Sequence, residues 1–156
     1  MNYIIRDFSD GDEIPLKKMW LEFIQDEEGA DLNIVPSEEN ANRWISFLGS
    51  VIKNGNGTVK LAETEDGTLA GYVFYQWGEG PLKLKRKKGV IYDLYVRPQF
   101  RNRGMGSALL KNALDDLKRR GVEIVQLTVM SKNNRALNLY KKYGFTETLK
   151  IMRLEF

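Results

Sequence analysis

The sequence predicts an α+β domain, a mixed, mostly antiparallel twisted sheet with helices on both faces, spanning residues 1–156. Three observations carry that expectation. Four stretches place apolar residues at helical spacing. Several short runs alternate or are continuously apolar and are bounded by turn residues. One strand–helix–strand unit over residues 90–129 suits a right-handed parallel crossover, whereas the earlier strands suit an antiparallel meander. The element order reads β-α-α-β-β-β-α-β-α-β.

Tyr3 to Asp7 is a short β-run, and Ser9-Asp10-Gly11-Asp12 supplies turn and N-cap chemistry. Leu16, Met19, Trp20, Phe23 and Ile24 then form one apolar helix face, ended by Gln25-Asp26-Glu27-Glu28-Gly29. A second helix starts near Ser37, buries Ala41, Trp44, Ile45, Leu48, Val51 and Ile52, and closes at Gly55. Thr58 to Thr64 and Leu69 to Trp77 flank a Glu65-Asp66-Gly67 hairpin turn. A basic loop, Lys83 to Lys88, reads as a solvated hairpin loop and leads into Val90 to Val96, an apolar strand interrupted by Asp93. A helix with Ala108, Leu109, Ala113, Leu114 and Leu117 on one face ends at Gly121, and Ile124 to Val129 is a buried strand. Asn133 to Tyr143 is a helix stopped by Gly144, and Leu149 to Phe156 is expected to be a final strand.

Composition narrows the chemistry. With 42% hydrophobic and 29% charged residues, the chain reads as soluble and globular, with no apolar run near the roughly 20 residues that span a bilayer. The N-terminus lacks the pattern of a signal peptide, so the expectation is a cytoplasmic protein. The sequence contains neither cysteine nor histidine. That removes thiolate nucleophiles, Ser-His-Asp and Cys-His arrangements and imidazole or thiolate zinc sites, and no metal is expected. A general base must be a carboxylate, lysine, tyrosine or water. The net charge of +3 divides unevenly, residues 1–40 carrying −8 and the remainder +11. Such a division suits an anionic partner on the later part and a cationic one near the N-terminus. A single short basic run with no recognised binding motif argues against nucleic acid as a partner.

The strongest motif is Arg101-x-x-Gly104-x-Gly106, set between an apolar strand and a long helix. A helix start leaves about four backbone N–H groups unpaired, and with the helix dipole they attract anions. Glycines there let backbone approach a ligand, while Arg101 and Arg103 add charge. The expected ligand is a pyrophosphate. Gly106 is followed by Ser107-Ala108, which excludes a Walker loop, and Leu109 replaces the third glycine of a Rossmann loop.

The segment Leu94 to Gly106 resembles the acetyl-CoA motif of the GNAT superfamily, the Gcn5-related N-acetyltransferases: Gln/Arg-x-x-Gly-x-Gly/Ala after a strand. Asn133 to Phe145 resembles that family's second motif, Asn-x-x-Ala-x-x-Leu-Tyr-x-x-x-Gly-Phe. With Ile4-Ile5-Arg6 and the element order, the resemblance covers nearly the whole chain. It implies that the strands at 90–96 and 124–129 are a parallel pair that splays apart to admit the pantetheine arm of acetyl-CoA, the co-substrate. Backbone at Leu94, Tyr95 and Val96 would pair with that arm. Arg101, Asn102, Arg103, Gly104, Met105, Gly106 and Ser107 would cradle its diphosphate, and Asn133 would contact it or cap the last helix. Tyr140 matches the residue that protonates or hydrogen-bonds the departing thiolate. Asp93 is the candidate base, with a water chain as the alternative. Without cysteine, direct attack by an amine in a ternary complex is expected, with backbone N–H groups near Val96 polarising the thioester carbonyl.

The family builds its acceptor pocket from the first two helices and their connection. Asp26, Glu27, Glu28 and Asp31 there suggest a cationic acceptor such as a polyamine. Trp20, Trp44, Tyr75 and Trp77 read mainly as core, with room for one of them to line the pocket. Two other readings stay open: a peptide or protein N-terminal acetyltransferase, and a non-catalytic acyl-CoA-binding regulatory module. A homodimer paired through the last strand fits the family equally.

Overall fold

The β-forming runs become strands where helices cover their apolar side chains. The computed structural model describes residues 1–26 and 29–156. Tyr3–Asp7 forms β1, Gly57–Thr64 β2, Leu69–Trp77 β3, Lys88–Val96 β4 and Ile124–Leu127 β5. The helices are α1 (Glu13–Gln25), α2 (Glu38–Asn54), α3 (Met105–Arg119) and α4 (Asn134–Lys142), with 3-10 turns at Asp10–Asp12, Ala30–Leu32 and Pro98–Phe100. The sheet runs in the order β1-β2-β3-β4-β5, antiparallel throughout except for the parallel pair β4–β5.

Each face of the sheet holds its own core. On one, α1 and α2 press Leu16, Met19, Trp20, Leu48 and Val51 onto Val59, Leu61, Tyr72, Phe74 and Tyr95. On the other, α3 and α4 press Met105, Leu109, Leu110, Ala113, Leu117 and Tyr140 onto Ala62, Val73, Tyr75 and Ile91. Full burial of one such leucine or methionine stabilises the fold by about 1.5–3 kcal/mol. Helix α2 has the caps its sequence advertises: Ser37 Oγ accepts from the Asn40 N–H at 3.1 Å, and Gly55 ends it at φ 74°. A buried polar link fastens α3 to β3, where the Tyr75 hydroxyl donates to Asp116 at 2.6 Å and Arg120 Nε donates to the same carboxylate at 3.1 Å.

The expected final strand does not form. Residues 145–156 contain neither helix nor strand, and Leu149, Ile151, Met152 and Leu154 are 78–92% exposed. A lone strand has no stability of its own, and among the described residues this one has no ladder partner within the chain. Strand β5 likewise stops at Leu127 rather than Val129.

Candidate active site

The parallel pair opens where its register ends. Lys88, Gly89, Val90 and Ile91 pair with Ile124, Val125, Gln126 and Leu127, and beyond Ile91 strand β4 continues to Val96 without β5 beside it. A bulge lies at the same place. Phe74 pairs with Asp93 while Tyr75 pairs with Ile91, so Tyr92 is the extra residue. A bulge interrupts side-chain alternation, and here Tyr92 and Asp93 face the same way. Tyr92 stacks on Phe74 at 5.6 Å, and Asp93 accepts from the Tyr72 hydroxyl at 3.2 Å, both on the α1–α2 face.

The backbone beyond the bulge alternates as well. The Arg97 N–H donates to the Ala70 carbonyl at 2.9 Å. In the antiparallel pattern, Tyr95 and Arg97 therefore spend their backbone groups on β3, while Leu94 and Val96 turn theirs toward the gap. Of the three residues expected to offer backbone there, the register points Leu94 and Val96 into the gap and Tyr95 away from it. The Tyr95 side chain packs on Phe23 at 5.1 Å.

At the far end of the gap, α3 presents its N-terminus. Asn102 and Gly104 both adopt left-handed backbone, at φ 64° and 80°, and among the described residues no side chain caps the helix. Successive N–H groups in such a turn converge into an anion-binding concavity. Among the described residues, a Cβ on Gly106 would meet only Leu139 Cδ2 and Val96 Cγ2, both at 3.8 Å, so their packing does not demand glycine there. Those features fit a diphosphate held by main-chain amides. Met105 is buried beneath the loop, and Arg103 reaches the Met1 sulfur at 3.4 Å on the surface.

The Arg101 side chain is directed elsewhere. Its Nε donates to the Val96 carbonyl at 2.8 Å, one Nη donates to Asp26 at 2.7 Å, and its Cζ lies 5.6 Å from the Tyr95 ring centre. The phosphate-loop arginine and a carboxylate assigned to the acceptor thus form one ion pair, which with Arg97–Glu22 at 2.7 Å ties this loop to α1. Asp31 is paired with Lys132, whose hydrogen bond holds its carboxyl below the usual range, helped by Arg153 in the tail. Glu27 and Glu28 lie outside the described residues.

Helix α4 brings two expected residues to the gap's other side. Asn133 Oδ1 caps the helix by accepting from the Ala136 N–H at 3.1 Å, leaving its Nδ2 hydrogens as donors. Tyr140 is buried, with its ring 5.8 Å from Phe145, and its hydroxyl has no hydrogen-bond partner among the described residues. Burial, and then the Asp93 charge, push its phenol up to about 12, so it stays protonated near neutrality. Burial also raises Asp93, to about 6 against the opposing Tyr72 hydrogen bond, so it is mostly a carboxylate at pH 7. The two lie on opposite faces of the sheet, and the gap between β4 and β5 connects those faces. Helices α3 and α4 are stapled at this end: the Ser107 and Tyr143 hydroxyls lie 2.5 Å apart, and Tyr143 also donates to the Ser107 carbonyl at 3.1 Å.

Above Asp93, a cavity of about 270 Å³ opens on the α1–α2 face, lined by aromatic and aliphatic side chains from α1, α2, β3, β4 and the segment between the first two helices. Trp20 and Trp44 line it, whereas Tyr75 and Trp77 pack on the opposite face of the sheet. Sequence reasoning missed Tyr72, Phe47, Ile34 and Tyr92. The bulge that delivers Tyr92 leaves no mark in Val90-Ile91-Tyr92-Asp93-Leu94.

The Acetyltransferase (GNAT) family profile matches residues 17–145. The chain belongs to the GNAT family. An N-alpha-acetyltransferase of Sulfurisphaera tokodaii is 38% identical over 113 residues, covering 69% of this chain and 66% of the relative. The [ribosomal protein bS18]-alanine N-acetyltransferase of Escherichia coli is 30% identical over 84 residues, covering 54% and 52%. The chain thus spans less than two thirds of these curated relatives. Among solved structures, a Pyrococcus furiosus protein provisionally described as an acetyl transferase superposes with a TM-score of 0.77 at 26% identity, covering 99% of this chain and 100% of that one. Among the described residues, no helix is long and apolar enough to cross a membrane.

Proposed function

We propose that this GNAT chain is an acetyl-CoA-dependent N-acetyltransferase, in which a primary amine attacks the thioester while both substrates are bound. The observation that carries the reading is the gap beyond Ile91–Leu127, with Asp93 on one side, Tyr140 on the other and, at its end, the α3 N-terminus, uncapped among the described residues. Acetyl-CoA supplies the acetyl thioester. Main-chain amides from Asn102 to Ser107 hold the diphosphate, and the Asn133 amide adds a donor. Backbone at Leu94 orients the arm in the gap. The Val96 N–H donates to the thioester oxygen as that oxygen gains negative charge. Asp93 accepts the proton lost by the amine as the N–C bond forms, and Tyr140 donates a proton to the sulfur as the C–S bond breaks. Calorimetric titration with acetyl-CoA tests the reading: saturable binding is expected, and its absence overturns it.

The polyamine acceptor suggested by the acidic run loses support, because Asp26 and Asp31 each hold a basic side chain. A polypeptide N-terminal amine gains support from the archaeal and bacterial relatives, whose names specify such acceptors. We also propose that the exposed tail pairs with the open edge of β5 in a second copy, making a homodimer. An exposed β-run outside the sheet and a half-exposed strand that, among the described residues, pairs on one side only are complementary.

A further inference from the structure

We infer that the acceptor's amine is borne on an apolar group of about ring size, seated in the aromatic cavity over β3 and β4. The inference rests on the acetyltransferase reading above. Among the described residues, nine side chains line the cavity, and only Asp93 of these is charged. Its volume of about 270 Å³ lies just below the usual range for ligand sites, which begins at about 300 Å³. The space suits one ring or branched chain, not an extended polycation.

Charge supports the same acceptor. A single carboxylate neutralises a single ammonium, and a second cationic group would be desolvated against hydrocarbon with no counter-charge from the described lining. Aromatic faces that would otherwise hold a cation are engaged with each other: Trp44 stacks on Trp20 at 5.5 Å and meets Tyr72 edge-on at 5.7 Å. The mouth is apolar as well. Phe47 and Tyr92 are about half exposed, at 51% and 53%, although both line the cavity, and Ile34 joins them at 40%. Large apolar side chains gathered at a cavity mouth mark a contact surface. The bulge sets Asp93 two residues past Ile91, the last β4 residue paired with β5, so an amine held by Asp93 sits at the gap while its apolar substituent points away from it, toward Trp44 and Phe47.

A CoA-release assay on the full chain tests this, using ethylamine, 3-methylbutylamine, 2-phenylethylamine, putrescine and spermidine, together with tetrapeptides beginning with Phe, Leu, Ala or Lys. We expect kcat/KM for 2-phenylethylamine, or for the Phe- and Leu-headed peptides, to exceed that for ethylamine, spermidine and the Ala- and Lys-headed peptides by about 100-fold, since discrimination in an apolar pocket runs roughly 10–200-fold per methylene. Which arm responds identifies a free amine or a peptide as the source. Phe47→Ser alters a half-exposed position that folding tolerates, and it should cut the 2-phenylethylamine to ethylamine ratio at least about tenfold. Preference for spermidine or ethylamine overturns the inference, as does an unchanged ratio in Phe47→Ser or acetyl-CoA binding without turnover of any amine. Failure to bind acetyl-CoA is a different result, and it removes the underlying reading as well.

Discussion

The Tyr72 hydroxyl donates to the Asp93 carboxylate at 3.2 Å, across β3 and β4 and beneath the aromatic cavity. That bond stabilises the charged carboxylate, while burial works against it and leaves Asp93 at about 6. Proton acceptance requires the ionised form, so kcat should be low at pH 5, half-maximal near pH 6 and level above pH 7. Tyr72→Phe removes the group holding the value down, so the acidic limb should move upward by about half a unit or more. A limb that moves downward, or a rate independent of pH from 5 to 8, contradicts a base role for Asp93.

Tyr140 has no competing hydrogen bond among the described residues and remains protonated through neutrality. Tyr140→Phe keeps the ring against Phe145 and deletes the proton donor. We expect kcat to fall by about 10²–10⁴, with calorimetric affinity for acetyl-CoA within about threefold of the parent. Equal kcat in parent and variant would take the acid role from this residue.

Gly106 has room for a Cβ within the chain. Gly106→Ala should therefore leave Tm unchanged or raise it, since alanine is favoured over glycine within a helix by about 1 kcal/mol. The added methyl enters the space assigned to the diphosphate, so acetyl-CoA binding should weaken more than about tenfold. Unaltered affinity would place the diphosphate elsewhere.

Arg101 behaves differently if its bonds to Asp26 and the Val96 carbonyl define its task. Arg101→Ala should cost about 1.5–3 kcal/mol in chemical denaturation, the range for hydrogen bonds to charged groups, while acetyl-CoA affinity changes less than about threefold. The opposite pattern, intact stability with lost affinity, would return this side chain to the phosphates.

The tail offers a test of assembly. Deleting residues 147–156, or making Ile151→Asp, should convert a dimer into a monomer in sedimentation velocity. A parent that is monomeric at tens of micromolar rules out pairing through β5.

Much of this was legible from residue order. The glycine loop, the parallel crossover and the two helix-covered faces follow from local spacing, and each sits where its motif placed it. Three features were not legible, and each depends on contacts between distant residues. The bulge at Tyr92 exists only in register with β3. The engagement of Arg101 by Asp26 joins residues 75 positions apart. The tail, though β-forming by composition, lacks the neighbour that pairing requires, and no local pattern reports a missing neighbour.

The hydroxyl contact between Ser107 and Tyr143 has a mechanical consequence. It joins the turn proposed to grip the diphosphate to the end of the helix that carries the proposed proton donor, only three residues after Tyr140. In the reaction proposed above, a shift of α3 as its amides close on an anion would pass through this contact toward the phenol. Capture of one substrate end and alignment of the acid at the other would then be a single movement.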